Sequence, residues 1–219
     1  MARQLFSEWL GTFFLVAVVI GSGIMAERLA DGNLALALLG NTLATGAILV
    51  VIILIFSSIS GAHFNPAVTL VFLIRQEIDT RTALYYSVVQ IMGGISGALV
   101  AHIMFELPLI EASSTARTGV SQWVAEFVAT FGLIASILGC LKTRPEAIPY
   151  AVGLFISAGY WFTSSTSFAN PAVTIARTMT NTFSGIAPVD APAFILTQLF
   201  SASVAAVVLG WLFADKDSS

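Results

Sequence analysis

Residues 162–181 have the sequence FTSSTSFANPAVTIARTMTN, and their centre, NPAVT at 170–174, occurs once before at 65–69. Asn is a preferred N-cap residue because its side chain accepts a hydrogen bond from an N–H of the first helical turn. Pro is favoured at the next position, where no N–H is needed and φ is already helical. Each copy therefore predicts the start of a helix whose positive end points at whatever lies in front of it.

The composition around these motifs predicts a membrane protein. The 219 residues are 57% hydrophobic and 10% charged, whereas soluble domains carry about 25% charged residues. The length suits about six membrane-spanning helices. Six runs of at least 15 residues lack Asp, Glu, Lys and Arg: 9–26, 34–74, 82–105, 127–141, 147–176 and 191–214. The runs 34–74 and 147–176 are the longest and contain the two motifs, as expected if each holds a full span plus a segment that dips back into the bilayer.

These runs predict the order of the helices. We expect spans over roughly 5–25, 34–56, 82–105, 122–141, 147–163 and 191–213, and short half-helices over 66–74 and 171–181. The first apolar run lacks a small-residue cleavage site after it, so it is interpreted as a retained span and not as a signal peptide.

The two halves of the chain repeat each other. Residues 7–13, SEWLGTF, are similar to residues 125–131, AEFVATF, and the NPAVT copies are 105 residues apart (170 − 65). Each half, about 1–106 and about 120–219, holds three predicted spans and one half-helix within one domain of residues 1–219. Because three crossings are an odd number, the second half is inserted upside down, and such inverted repeats carry their site near the bilayer midplane. The two half-helix starts are expected to meet there.

The orientation of the chain follows from its basic residues, which are enriched in cytoplasmic loops. With the N-terminus inside, six fall on the inner side: Arg3, Arg75, Arg81, Lys142, Arg144 and Lys216. Three fall outside: Arg28, Arg117 and Arg177. This distribution favours a multi-pass protein with both termini in the cytoplasm. No basic stripe suggests a nucleic-acid partner.

The predicted arrangement suits a pore. Non-helical backbone at membrane depth is tolerated only where it is buried in protein or lines a water-filled cavity. The opposed helix starts would repel a cation, while Asn65 and Asn170 could each donate an amide N–H to a passing oxygen. No cluster of carboxylates, thiolates or histidines could replace the hydration shell of a metal ion. The site therefore suits a small neutral solute, with no metal and no cofactor.

The chain resembles the aquaporin (major intrinsic protein) family. The resemblance lies in the two Asn-Pro-Ala motifs, or boxes, the six predicted spans and the similar segments SEWLGTF and AEFVATF near the start of each half. The resemblance implies an all-α membrane protein of six transmembrane helices plus two re-entrant half-helices. It also implies one pore per subunit, usually a homotetramer, and a channel in place of an enzyme. The pore motifs would be Asn65, Pro66, Ala67, Asn170, Pro171 and Ala172.

The chain departs from the family at its outer selectivity filter. Many members carry Arg directly after the second box, where this chain has Val173. The filter position of span two corresponds to Thr45, and that of span five to Ala158 or Tyr160. Ser167 is expected to supply a loop wall. A wider and less polar constriction than that of a strict water channel is the resulting expectation.

A wider filter would admit water, glycerol-like polyols and neutral hydroxides such as arsenous acid. A bacterial subgroup associated with arsenic resistance also resembles this chain, with Val in place of the filter arginine, which would place the protein in a bacterial inner membrane. The alternatives are a strict water channel and, less favoured, a secondary transporter of a small neutral solute, which would normally need ionisable coupling residues near the midplane. The sequence suggests no nucleophile–base pair for an enzyme.

Several polar residues in apolar surroundings have two interpretations. Arg177 either lines the outer vestibule and repels cations, or snorkels to the interface and caps its half-helix. The resemblance implies that Glu8 and Glu126 are scaffold residues whose carboxylates accept from loop N–H groups, the alternative being a proton relay. His63 is expected to pack at the inner mouth, with a gate or pH sensor as the alternative. His102 is interpreted as interfacial filler.

Overall fold

A computed structural model describes residues 1–214 of the chain. Lys216, one of the basic residues used for the orientation, lies outside the described residues. The described part forms eight α-helices: α1 (Ala2–Leu29), α2 (Leu34–Ser60), α3 (Pro66–Ile74), α4 (Thr80–Met104), α5 (Val120–Thr143), α6 (Ile148–Phe162), α7 (Pro171–Arg177) and α8 (Ala191–Leu212). The all-α architecture of long helices and two half-helices, α3 and α7, confirms the predicted fold class.

Within the described residues, five helices are long and apolar enough to cross a membrane: α1, α2, α4, α5 and α8. The predicted fifth span corresponds to α6, which has 15 residues and continues a 3-10 turn at Pro145–Ala147. The prediction for the second half-helix is too long, because α7 ends at Arg177 and residues 178–187 turn to pair with the connection between α4 and α5.

The helices of the two halves interlock. In the first half α1 packs against α2 and α4, and in the second α5 packs against α6 and α8. The half-helices pack on helices of the opposite half, α3 on α8 and α7 on α4. Two glycines of α4 allow its close approach to α1, because a Cβ at Gly93 or Gly97 would collide with α1 backbone.

The same cap begins both half-helices. The side-chain oxygen of Asn65 accepts from the N–H of Ala67 at 2.8 Å, and that of Asn170 accepts from the N–H of Ala172 at 2.9 Å. Each Asn is extended and is followed by Pro at the first helical position, Pro66 or Pro171, as the motif predicts.

The loops that lead into the half-helices repeat their backbone torsions as well as their sequence. Three positions in each loop have positive φ, and the two sets are 105 residues apart: Gly61, Ala62 and Phe64, then Thr166, Ser167 and Ala169. Five of these six residues are not glycine, so each carries a left-handed conformation that costs energy for a residue with a Cβ. The loops therefore keep a shape that the surrounding helices must hold.

Candidate functional site: a pore between the half-helices

The two half-helices meet head to head at their capping asparagines. The Nδ2 of Asn65 donates to the backbone carbonyl of Ala169 at 2.7 Å, and the Nδ2 of Asn170 donates to the carbonyl of Phe64 at 2.9 Å. An amide NH₂ has two N–H groups. Each asparagine thus caps its own helix, binds the opposite loop and keeps a second N–H, and both residues line the cavity described below.

A buried carboxylate holds the first loop. The two oxygens of Glu8 accept from the backbone N–H groups of His63 at 3.0 Å and Phe64 at 2.7 Å. The amide of Gln90 donates to Glu8 at 2.8 Å and to the hydroxyl of Thr69 at 3.0 Å. The carboxylate therefore links α1, the loop and α4.

The second loop is held in the same way. The oxygens of Glu126 accept from the N–H groups of Phe168 and Ala169, both at 2.9 Å. The amide of Gln198 donates to Glu126 at 2.6 Å and to the hydroxyl of Thr174 at 3.0 Å. These contacts support the scaffold interpretation of both acids, which stays a prediction.

Sequence reasoning missed the role of the two glutamines. The spacing of Gln90 with Gly93, Gly94 and Gly97 predicts only a stripe for close helix packing, and no motif singles out Gln198. The available signal was that each is the lone Asn or Gln in an otherwise apolar span, at equivalent places in the two halves. A buried amide in such a span needs polar partners, and the buried carboxylate supplies one.

A cavity of about 120 Å³ passes between the half-helices, from Ile148 near the face of the N-terminus to Arg177 near the opposite, outer face. Most of its wall is apolar, including Leu15, Val19, Leu49, Ile53, Val68, Leu133, Ile137, Val152, Ile156 and Val173. Its polar side chains are Thr45, His63, Asn65, Tyr160, Ser167, Asn170 and Arg177.

The outer throat of this cavity contains most of the predicted filter residues. Tyr160 lines it, and its hydroxyl lies 3.3 Å from that of Thr45 on the facing helix α2. Val173 and Ser167 also line it. Ala158 is exposed on the outside of the bundle, so the alternative that placed it in the filter is wrong. Residues two apart on a helix point in nearly opposite directions, so only one of the two candidates can face the cavity.

Arg177 is buried beside the same throat. Its relative exposure is 2%, its guanidinium lies 3.5 Å from the ring centroid of Phe168, and its Nε donates to the carbonyl of Ser184. The snorkelling interpretation is therefore wrong, because the side chain turns into the protein instead of towards the interface. With Tyr160 it also corrects the expectation of a less polar throat, although the role of Arg177 in repelling cations stays a prediction.

A second arginine supports this region from the connection between α4 and α5. Arg117 lies 5.1 Å from the centroid of the Phe168 ring and donates to the carbonyls of Gly185 and Ser165. Burial lowers the pKa of its guanidinium from the ordinary value. These contacts hold the connection between α4 and α5 against the loop that leads into α7.

The inner mouth is aromatic. The ring of His63 stacks on Phe72 at 4.6 Å and meets Tyr86 edge-on at 5.4 Å, while its Nδ1 lies 3.1 Å from the hydroxyl of Thr69. These contacts support the packing interpretation, and the gate stays a prediction. His102 is not interfacial filler: it is buried and lies within hydrogen-bond distance of Thr180 and two backbone carbonyls.

Comparisons with known proteins agree with this geometry. The family model described as Major intrinsic protein matches residues 1–148. Aquaglyceroporin AqpS of Rhizobium meliloti (strain 1021) is 51% identical over 212 residues, which are 97% of this chain and 91% of that protein. Aquaporin A of Dictyostelium discoideum is 32% identical over 183 residues, 77% of this chain and 65% of that protein.

A solved structure shares the fold. The X-ray structure of the aquaglyceroporin from Plasmodium falciparum matches with a TM-score of 0.73 at 20% identity, covering 97% of this chain and 98% of that one. The family model, the identity to AqpS and the paired boxes lead to one assignment. The chain belongs to the major intrinsic protein (aquaporin) family and is an integral membrane channel, not an enzyme.

Proposed function

We propose that the protein is a passive channel for water and small uncharged solutes, including glycerol-like polyols and arsenous acid-type metalloid hydroxides. The observation that carries this proposal is the meeting of two half-helix starts inside a cavity with a mostly apolar wall. Each helix start carries about half a positive charge. A neutral hydroxyl oxygen can accept from the free N–H groups of Asn65 and Asn170, whereas a cation is repelled.

Val173 is the reason for including solutes larger than water. It lies in the throat at the position where many family members carry Arg, and it offers no hydrogen bond and little bulk. The relative at 51% identity is named an aquaglyceroporin, which also favours polyol-sized solutes. Arsenous acid is a neutral trihydroxide of similar size, so the same combination of apolar wall and N–H donors suits it.

Swelling of liposomes that contain the purified protein tests the proposal. We expect flux of water, glycerol and arsenous acid through the unaltered channel. Val173→Arg is expected to lower glycerol and arsenous acid flux at least about tenfold, which needs only about 1.4 kcal/mol of added barrier, and to retain water flux. Val189→Arg is the matched control, because Val189 is exposed and does not line the cavity. Passage of water without glycerol or arsenous acid would end the wide-filter proposal.

The second candidate is a strict water channel. It is favoured by the contact between Tyr160 and Thr45 and by the guanidinium of Arg177, all of which line the throat. The same assay separates the two, since only the first predicts glycerol flux. A secondary transporter would show saturation at low solute concentration or need an ion gradient. Against it, Glu8 and Glu126, the acids buried in the spans, already accept hydrogen bonds from loop N–H groups.

We also propose one channel domain over residues 1–219, made of repeats at about 1–106 and about 120–219, assembled as a homotetramer. The proposed location is a bacterial inner membrane with both termini in the cytoplasm, which the distribution of Lys and Arg supports. Protease access to an N-terminal tag in inside-out vesicles tests the orientation, and the mass of the detergent-solubilised complex tests the assembly.

A further inference from the structure

The two mouths of the pore are built on equivalent positions. His63 and Phe168 are 105 residues apart, as are Phe72 and Arg177, and this is the offset between the two motifs. At the inner mouth the His63 ring stacks on Phe72 with centroids 4.6 Å apart. At the outer mouth the Arg177 guanidinium lies over the Phe168 ring at 3.5 Å. One stacked pair thus occurs twice with different chemistry.

The equivalence of the two mouths shows whether packing alone explains the charged side chain of Arg177. The inner mouth closes its stack with the neutral ring of Phe72, so the architecture does not itself require a guanidinium at the corresponding place. A fully buried arginine is expensive to desolvate. Its presence at the outer mouth alone therefore calls for an explanation other than packing.

The contacts of Arg177 leave its terminal nitrogens available. Its Nε donates to the carbonyl of Ser184, and one face of the guanidinium lies on Phe168. Within residues 1–214 no hydrogen bond from its terminal Nη groups is found, and the residue lines the cavity. Because Arg177 is four residues beyond Val173, it lies on the same face of the helix, about one turn or about 6 Å farther out.

The charge of Arg177 is not cancelled by an ion pair. Among the described residues the salt bridge found joins Arg75 and Glu77, far from the throat. The buried acid of the same half, Glu126, accepts from loop N–H groups and from Gln198, and Asp190 accepts from the backbone N–H of Arg117. Arg117 lies over the same phenyl ring and adds a second positive charge.

We propose that Arg177 is the cation barrier of this channel and a donor to solute oxygens, displaced one helical turn outward from the position now held by Val173. Phe168 and Ser184 are its positioning residues. The displacement keeps a positive charge in the throat while the level of Val173 stays free of a long side chain. This assignment rests on the proposed function, since it concerns the selectivity of the same pore.

Charge and structure can be separated with two substitutions. Arg177→Gln keeps an N–H that can reach the Ser184 carbonyl but removes the charge, and Arg177→Lys keeps the charge but loses the planar stack. In liposomes with a pH gradient and a potassium diffusion potential, we expect Arg177→Gln to raise the proton or potassium leak at least about tenfold, or about 1.4 kcal/mol of barrier. Arg177→Lys is expected to stay close to the unaltered protein.

Arg81→Gln is the matched control. Arg81 also stacks on an aromatic ring, that of Tyr85 at 5.4 Å, but it is exposed and does not line the cavity. We expect no leak from it. Equal leaks from Arg177→Gln and Arg177→Lys, or no leak from a folded Arg177→Gln, would overturn the assignment and indicate a structural role.

Exchanging the side chains at positions 173 and 177 provides an independent test of the proposal if Arg177→Gln does not fold. Arg177→Val is expected to leak, and the double change Val173→Arg with Arg177→Val is expected to restore the barrier while lowering glycerol flux. A leak from the folded double variant would contradict the proposal. Ion leak and solute swelling are separate readouts: absence of solute flux in the unaltered protein would refute the proposed channel function, while the leak of the Arg177 variants would still decide the role of the charge.

Discussion

The two re-entrant loops are supported alike but differ in what they present to the solute. Each is bound by a glutamate from the start of its half and by the asparagine of the opposite loop, and a glutamine from the last span of that half binds the glutamate. The mouths diverge, with an imidazole on a phenyl ring inside and a guanidinium on a phenyl ring outside. We infer that the shared contacts position the loops, and that the residues at which the halves differ determine selectivity.

The halves also differ in how they fill the space beside each loop. A Cβ at Gly11 would overlap the ring of Phe64, which is buried in the first loop. The corresponding positions of the second half are Ala129 and Ala169, both buried. The first half thus combines a large loop residue with a glycine, whereas the second half has an alanine at both positions.

The strongest test of the shared support is the removal of a carboxylate. Glu8→Gln and Glu126→Gln place an amide N–H against loop N–H donors, and a buried N–H that loses its charged acceptor costs about 1–3 kcal/mol or more. We expect both variants to lose stability by this amount in detergent unfolding. Glu8→Gln is expected to lose more, because Glu8 also accepts from the hydroxyl of Ser60 at 2.6 Å.

Glu146→Gln is the control for this pair, since Glu146 is exposed within the 3-10 turn, and its effect should stay within about 0.5 kcal/mol. If one of the two substitutions leaves the free energy of unfolding unchanged, the two loops are not supported in the same way and the comparison is wrong.

A smaller effect is expected from making the halves more alike. Gly11→Ala should destabilise the protein by about 1–3 kcal/mol because the new methyl group overpacks against Phe64. The same change in a Phe64→Ala background should cost almost nothing, since the ring is gone. Unfolding of the four proteins of this double-mutant cycle measures the coupling. Additive costs would show that the glycine is not there to accommodate the ring.

The smallest expected effect concerns the helix starts at Asp79 and Asp190. Asp79 caps α4 by accepting from the N–H of Thr82 at 2.6 Å, and this hydrogen bond lowers the pKa of its carboxyl group. Asp190 makes no such bond at the start of α8 and accepts instead from the N–H of Arg117. Asp79 is therefore expected to give a cap that depends on pH.

A folded-state pKa below the unfolded one means that the cap stabilises fully above the ordinary value of about 3.9 and is lost as the pH falls through the lower folded value. Asp79→Asn keeps an accepting cap without this titration. In thermal unfolding at a series of pH values, we expect the unaltered protein to lose stability relative to Asp79→Asn only below about pH 4. Parallel curves down to the lowest pH would exclude the cap as the cause.

Much of the fold could be predicted from local chemistry. The Asn-Pro pairs fixed the starts of α3 and α7, and the apolar runs fixed the order of the spans, because both signals depend on neighbouring residues. The end of α7 could not be predicted, since residues 178–187 leave the helix to bond a connection about 70 residues earlier. That pairing is a tertiary interaction with no local signal.

The candidate site was predictable to a similar limit. The repeated motif predicts Asn65 and Asn170, the family resemblance implies Thr45 and Val173, and all four line the cavity. Spacing could not decide between Ala158 and Tyr160. The end of α6 is not evident from the sequence, so the residue of this helix that faces the pore could not be determined. It could not locate the Arg177 guanidinium either, because the partners Phe168 and Ser184 approach it only when the chain is folded.

The reciprocal bonds of Asn65 and Asn170 have a mechanical consequence. Each loop is tied to the backbone of the other, so neither can swing aside alone without leaving a buried partner unsatisfied at a cost of about 1–3 kcal/mol. We therefore expect the width of the pore to stay nearly constant at this level. Any opening and closing of this channel would have to take place at its two ends.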